Sequence, residues 1–278
     1  MAITRFRPEI WSALLLSSLK KAHVYAALCN RDYEGEIQAA GDTVRITSIS
    51  RPTINTYTRN ADIQYEELTD AQRTLVVDQE KYWAFSVDDV DAAQARGNVV
   101  PEAMSESAYG LADVADSFLA NLYTGVSSAN TISTTSVTTG DTAYNSLVDL
   151  KVKLGEANVP NAGRWVVVPE WYHGLLLKNP NFINAEKAAD NGQALRNGMV
   201  GRAAGFDIHV SNNAPLVTGD DYAVIAGVPQ AITFAEQIVK TDALRSELRF
   251  ADRVRGLYVY GAKLVRPDAL AVLTASRT

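Results

Sequence analysis

The chain is 278 residues long, 47% hydrophobic and 21% charged, with a formal net charge of −6. A chain of that length can bury roughly 75% of its unfolded surface in one large domain or two smaller ones, and the composition excludes a disordered chain. The single cysteine, Cys29, excludes an intrachain disulfide and a cysteine-rich zinc site, and the acidic balance excludes a protein that grips nucleic acid over its whole surface.

Near the N-terminus, Pro8 can occupy the first turn of a helix. Trp11, Leu15, Leu19, Ala22 and Ala26 follow at spacings of three and four, with Leu14 and Tyr25 beside them, which predicts an amphipathic helix. The apolar run at 10–19 is too short to span a membrane, and Lys20 and Lys21 follow it where a cleavage site needs small residues. Ala26 stands where a lipoprotein signal ending at Cys29 needs leucine, so no export, anchor or membrane span is expected. Gly35 and Gly41 flank a break. Residues 43–49 then alternate and residues 50–60 are rich in Thr, Asn and Arg, as in an extended arm leading into polar strands.

Residues 63–87 keep a two-residue period, with Trp83, Phe85 and Val87 on one face. Two strands with a polar connection predict a protruding β-hairpin, too poor in apolar residues to carry its own core. A short helix is expected at 88–96. A long one opens at Pro101 and carries Met104, Ala108, Leu111, Ala115, Phe118 and Leu122 on one stripe. Spanning 101–123, it would be about 34 Å long, and Gly110 inside it is expected to mark close packing.

Residues 124–140 contain ten Ser or Thr and divide the chain with a loop or thin strands. Beyond them Ala143, Leu147, Leu150, Leu154 and Ala157 predict a helix, 163–169 a buried strand, and Pro169 the start of a third helix through Leu177. Short strands at 206–210 and 222–226, with turns at Gly198, Gly201, Gly205 and Gly219, complete a compact α+β region. Alternation returns in Leu244, Leu248, Phe250, Leu257, Val259, Val265, Leu270, Val272 and Leu273, predicting strands that rejoin the sheet beside the long helix.

Charge is uneven: residues 1–60 hold 8 Lys/Arg against 5 Asp/Glu, whereas 61–121 hold 3 against 13. Opposite patches of this kind give register within or between subunits. Chemistry is sparse. His23, His173 and His209 lie far apart, and the Glu170/His173 pair is only half of a di-iron motif. Gly198, Gly201 and Gly205 match no phosphate loop and read as a tight hairpin. Asp88, Asp89 and Asp91 read as helix caps. Arg245, Arg249, Arg253 and Arg255, interleaved with Glu247 and Asp252, read as salt-bridging residues between strands or subunits.

Two stretches are more specific. Phe6-Arg7-Pro8-Glu9-Ile10-Trp11 with its leucine-rich helix, and Arg253-Val254-Arg255-Gly256-Leu257-Tyr258-Val259-Tyr260-Gly261-Ala262-Lys263-Leu264-Val265-Arg266-Pro267-Asp268-Ala269-Leu270, are similar to the opening and the closing strands of actinobacteriophage-like capsid proteins. Met199-Val200-Gly201-Arg202, Gly205-Phe206-Asp207-Ile208 and Ser211-Asn212-Asn213 add a weaker match. Together with the element order, nearly the whole chain resembles the major capsid protein of tailed double-stranded DNA bacteriophages, the Hong Kong 97 fold family.

The resemblance implies an α+β fold with an N-terminal arm and amphipathic helix at 1–40 and an extended β-hairpin loop at 41–87. It further implies a peripheral domain at 88–159 with its spine helix at 101–123, an axial domain at 160–240, and C-terminal strands at 241–278 returning to the peripheral domain. It implies a homo-oligomer of hexamers and pentamers in an icosahedral shell, made in the bacterial host cytoplasm and enclosing double-stranded DNA held non-specifically on the inner surface. A portal protein is an implied partner and cement or decoration proteins are left open; with no long scaffolding segment before the arm, any scaffold is expected to be a separate protein or unnecessary. No catalytic, cofactor-binding or metal-binding residue is expected, no cofactor and no membrane partner. The lysine–asparagine cross-link of the type member maps to no position here. A chain cut before Gly41 is expected to keep its folded core but to form no closed shells. The rival readings are an encapsulin-like nanocompartment shell and, more remotely, an oligomeric enzyme with an unrecognised site.

Overall fold

The computed structural model describes residues 24–32, 43–49, 53–56, 59, 62, 65, 70–88, 99–179, 201–246 and 251–278. In chain order these form β1 (Thr43–Ile49), β2 (Asp70–Val76), β3 (Gln79–Asp88), helix α1 (Val99–Ala120) and β4 (Thr131–Ser136). Helix α2 (Gly140–Glu156), β5 (Trp165–Val168), helix α3 (Glu170–Leu176), β6 (Arg202–Ala203), β7 (Phe206–Val210) and β8 (Leu216–Thr218) follow. Last come β9 (Asp221–Gly227), β10 (Ile232–Arg245), β11 (Ala251–Leu264) and β12 (Leu270–Ser276). The predicted helices at 8–26 and 88–96 lie outside the described residues, apart from their ends. Of these, Ala26–Leu28 form a 3-10 turn and Asp88 is the last residue of β3.

Helix α1 forms where the apolar stripe is regular. Met104, Ala108, Leu111 and Ala115 are buried, and Phe118 and Leu122 pack partly against the same cluster. That stripe lies on a three-stranded antiparallel sheet of order β10-β11-β3, meeting Trp83, Val254, Tyr258, Tyr260 and Phe234. Gly110 does not mark close packing. It is exposed, and a Cβ built on it meets no atom within 4 Å.

A second, seven-stranded sheet has the order β4-β12-β9-β5-β7-β6, with β8 on β9. Both its faces are covered. Val166, Val168, Val224, Ala226, Ala271 and Leu273 pack with α2 and α3, while Trp165, Val167, Ala223, Ile225 and Val272 join the cluster of α1. Double coverage explains why β5 is apolar at every position, since no side chain in it faces water.

Helix α2 has both ends fixed locally. Thr139 and Thr142 make a reciprocal capping box at its start. At its end Asn158 takes φ 56° and the Val159 N–H donates to the Leu154 carbonyl at 3.0 Å. Below that end lies Arg164, buried at 3% exposure, whose guanidinium donates to the carbonyls of Val159 (2.6 Å) and Pro160 (2.9 Å). The Tyr172 hydroxyl donates to the Ala143 carbonyl at 2.8 Å and so joins α3 to α2.

Helix α2 packs on the seven-stranded sheet with the rest of the compact α+β region, whereas one element sits elsewhere than the sequence predicted. Strand β12, expected to rejoin the sheet beside the long helix, pairs instead with β4 and β9, while β10 and β11 form that sheet with β3. The physical reason is that β4, rich in Ser and Thr, cannot provide a buried face, so the apolar β12 fills the sheet interior between it and β9.

Candidate functional site

The most distinctive surface is the excursion at 43–76. Strands β1 and β2 pair antiparallel from Thr43↔Val76 to Ile49↔Asp70 and form a sheet of their own. Among the described residues the ribbon is rooted at Leu75 and Val77, which are fully buried against Ala235 and Val259, on the face of the three-stranded sheet opposite α1. This crossing requires Gly261. A Cβ there would lie 2.5 Å from the Val76 carbonyl oxygen and 2.8 Å from the Val77 Cα, closer than real contacts allow. Gly256 does a similar service on the other face, where the Trp83 indole lies 2.6 Å from the position a Cβ would take. In the connection beyond β1, Ile54 and Tyr65 are 85% and 93% exposed.

Past the ribbon's root the same sheet face is open. Tyr82 stands opposite Leu257, and Arg255 lies between Ala84 and Asp242. A groove of about 390 Å³ runs there between Ala84, Leu244 and Arg253. Cross-strand ion pairs brace this end, Arg245–Asp252 at 3.0 Å and Arg255–Asp242 at 3.2 Å. The arginine run thus bridges strands. Arg253 is exposed, and Arg249 and Glu247 lie outside the described residues.

The arm enters the body through a buried polar clasp. Asp116 on α1, 2% exposed, accepts hydrogen bonds from the backbone N–H groups of Val24 (2.6 Å), Tyr25 (3.3 Å) and Ala26 (3.1 Å). Arg31 donates to the Ala26 carbonyl and, at 2.9 Å, to Glu236, and its guanidinium lies over the Phe234 ring. The Tyr258 hydroxyl donates to the other Glu236 oxygen; burial first, and then that carboxylate, push its ionisation far up. Burial, with Asp116 nearby and Arg31 opposing, likewise keeps the Cys29 thiol protonated. Asn30 bridges to Thr233 on the edge of β10. Residues 24–32 are therefore part of the core, which corrects the expectation that a chain cut before Gly41 stays intact: the cut must fall before Val24. The signal in the sequence was Asp116 itself, a charge placed on the apolar stripe between Ala112 and Leu119.

The residues singled out for chemistry stay apart. Glu170 is exposed on α3, with His173 one turn along, while His209 lies on β7 and His23 lies outside the described residues. Among the described residues no group of three or more His, Cys, Asp or Glu could hold a metal ion, and no helix is long and apolar enough to cross a membrane. Ala204 and Gly205, both at positive φ, form the two-residue turn of the β6–β7 hairpin, so the glycines at 201 and 205 serve a hairpin. Arg202 pairs with Asp207 across it and holds that carboxyl below its usual range.

Known proteins share this architecture. A family model described as phage capsid protein matches residues 69–273. A solved structure of Mycobacterium phage Che8 is 31% identical, covers 90% of each chain and superposes with a TM-score of 0.74. The capsid of Cyanophage P-SCSP1u is 16% identical at a TM-score of 0.69, covering 87% of this chain and 85% of that one. A virus-like particle from Pyrococcus furiosus is 14% identical at 0.60, covering 95% and 98%, a likeness of fold alone. Among curated proteins none matches. The overall fold is thus shared with these particles, at higher identity with Che8 than with the Pyrococcus furiosus particle. The chain belongs to the phage capsid protein family and is a major coat protein of the Hong Kong 97 fold.

Proposed function

We propose that the subunit assembles with copies of itself into hexamers and pentamers of a closed icosahedral shell around double-stranded DNA, and that it does so without enzymatic chemistry. The observation that carries this reading is the ribbon β1–β2. It has two strands, a buried root, and exposed Ile54 and Tyr65 beyond. A two-stranded ribbon is marginal in water by itself and gains stability when its faces are covered. A neighbouring copy is the covering surface in this account, with the acidic segment 61–121 of one subunit meeting basic positions of the next.

In the same reading the seven-stranded module is the axial domain and the α1 module the peripheral one. Portal, scaffolding and decoration proteins are separate partners, and synthesis takes place in the host cytoplasm. The test is a variant in which residues 45–74 are replaced by a short turn. It is expected to stay folded and monomeric while the full chain forms shells, as seen by sedimentation and electron microscopy. Normal shells from the shortened chain would remove the ribbon from the mechanism.

A further inference from the structure

The open sheet face beyond the ribbon's root is built to receive a partner. Ala84, Ser86, Leu244, Arg253 and Arg255 share that face by their cross-strand register, and the groove of about 390 Å³ lies among them. Its floor is apolar: Ala84 is exposed and Leu244 is 51% exposed. Its rim is basic. Arg255 is engaged with Asp242, whereas the exposed Arg253 makes no ion pair among the described residues. A guanidinium without a counter-ion, set beside exposed apolar surface, suits a partner that presents an aromatic side chain next to a carboxylate.

The chain itself carries that combination. In the connection between β1 and β2, residues 62–67 read Asp-Ile-Gln-Tyr-Glu-Glu, three acids around one tyrosine with no base among them. Tyr65 is 93% exposed there. Within one subunit the two surfaces do not meet, since Tyr65 and Leu244 both stay open to water, so their contact needs a second copy. Tyrosine and arginine are the side chains that most often anchor interfaces, and opposite charges set the register of the docked segment. We propose that residues 62–67 of one subunit dock in the groove of the next, with Tyr65 between Ala84 and Leu244 and a carboxylate from Glu66 or Glu67 on Arg253. This rests on the reading that the ribbon covers a neighbouring copy, and it names the surface that is covered.

Arg253→Glu in the full-length chain sets like charges against each other and is expected to raise the protein concentration needed for shells about tenfold at low salt. Glu66→Lys with Glu67→Lys is expected to do the same. Combining all three changes is expected to restore assembly to within about threefold of wild type, with amide exchange of β5 reporting that each subunit stays folded. An unchanged concentration for Arg253→Glu, or no restoration on combination, would overturn the pairing. A short bismaleimide reads proximity in assembled shells, the native Cys29 being buried. Gln64→Cys with Ser86→Cys is expected to give a ladder of linked subunits, and Gln64→Cys with Thr134→Cys, exposed on β4, to give none. No ladder, an equal ladder from the second pair, or linkage within a single chain would overturn the docking. The ribbon reading fails separately, through normal shells from the chain shortened at 45–74. Shells that need the ribbon but show no link to Ser86 would leave that reading standing and remove the groove from it.

Discussion

Replacing Gly261 by alanine isolates the rooting of the ribbon from the rest of the fold. The added Cβ would meet the Val76 carbonyl oxygen at 2.5 Å and the Val77 Cα at 2.8 Å, both backbone atoms that cannot rotate away. The segment must back off, which loosens Leu75 and Val77 from Ala235 and Val259. Overpacking of this kind costs about 1–3 kcal/mol, and a partial loss of two buried aliphatic contacts adds about 1–2 kcal/mol. Because this is the ribbon's root among the described residues, the cost falls on ribbon attachment, with a fall in Tm of about 5–10 °C at most. Amide exchange should rise in β2 and stay unchanged in β5 and β9, and sedimentation should show failed or fragile shells. Gly256→Ala serves as contrast, since it drives a Cβ into the Trp83 ring and should lower Tm without selectively freeing β2. Unchanged protection of β2 and normal shells for Gly261→Ala would refute the reasoning.

Three further outcomes follow from the packing. Gly110→Ala should stabilise the subunit by about 1 kcal/mol in chemical denaturation, since the added methyl group meets open space in a helix interior. Arg164→Ala should cost about 2–4 kcal/mol in the same assay by stranding buried carbonyls at the end of α2, and lysine, which lacks the planar fork, should recover less than half. Burial, opposed by Asp207, lowers the His209 imidazole, so the unfolded chain takes up that proton first. Its contribution is complete above about pH 6.5 and lost as pH falls through the folded value, so His209→Gln should flatten the decline of Tm as pH falls below about 6.5. The Asp207 carboxyl, held low by Arg202, adds its own loss only below about pH 4, and a His209→Gln profile as steep as wild type would contradict the assignment.

Local order was legible where a period of two or 3.6 met a one-sided environment. The stripe of α1, the apolar run of β5 and the alternation around Trp83 each announced a buried face. Sheet membership was not, because β12 and β11 read alike as apolar strands and only distant partners decide that one joins β9 and the other β3. Gly110 and Gly261 look equivalent in sequence, yet the first faces solvent and the second lies under a crossing strand. The clasp stayed hidden because Asp116, Arg31, Glu236 and Tyr258 come from four separate stretches. Its one local trace was a carboxylate on an apolar helix face.

The central claim is that this coat protein closes its shell by laying a rooted ribbon over a neighbouring subunit. Electron microscopy of particles assembled from the purified full-length chain tests it most directly. The account predicts closed icosahedral shells in which density for 43–76 leaves its own subunit at Val77 and covers the next. Protein that stays monomeric under every salt and concentration condition, or shells in which that density folds back onto its own subunit, would contradict it.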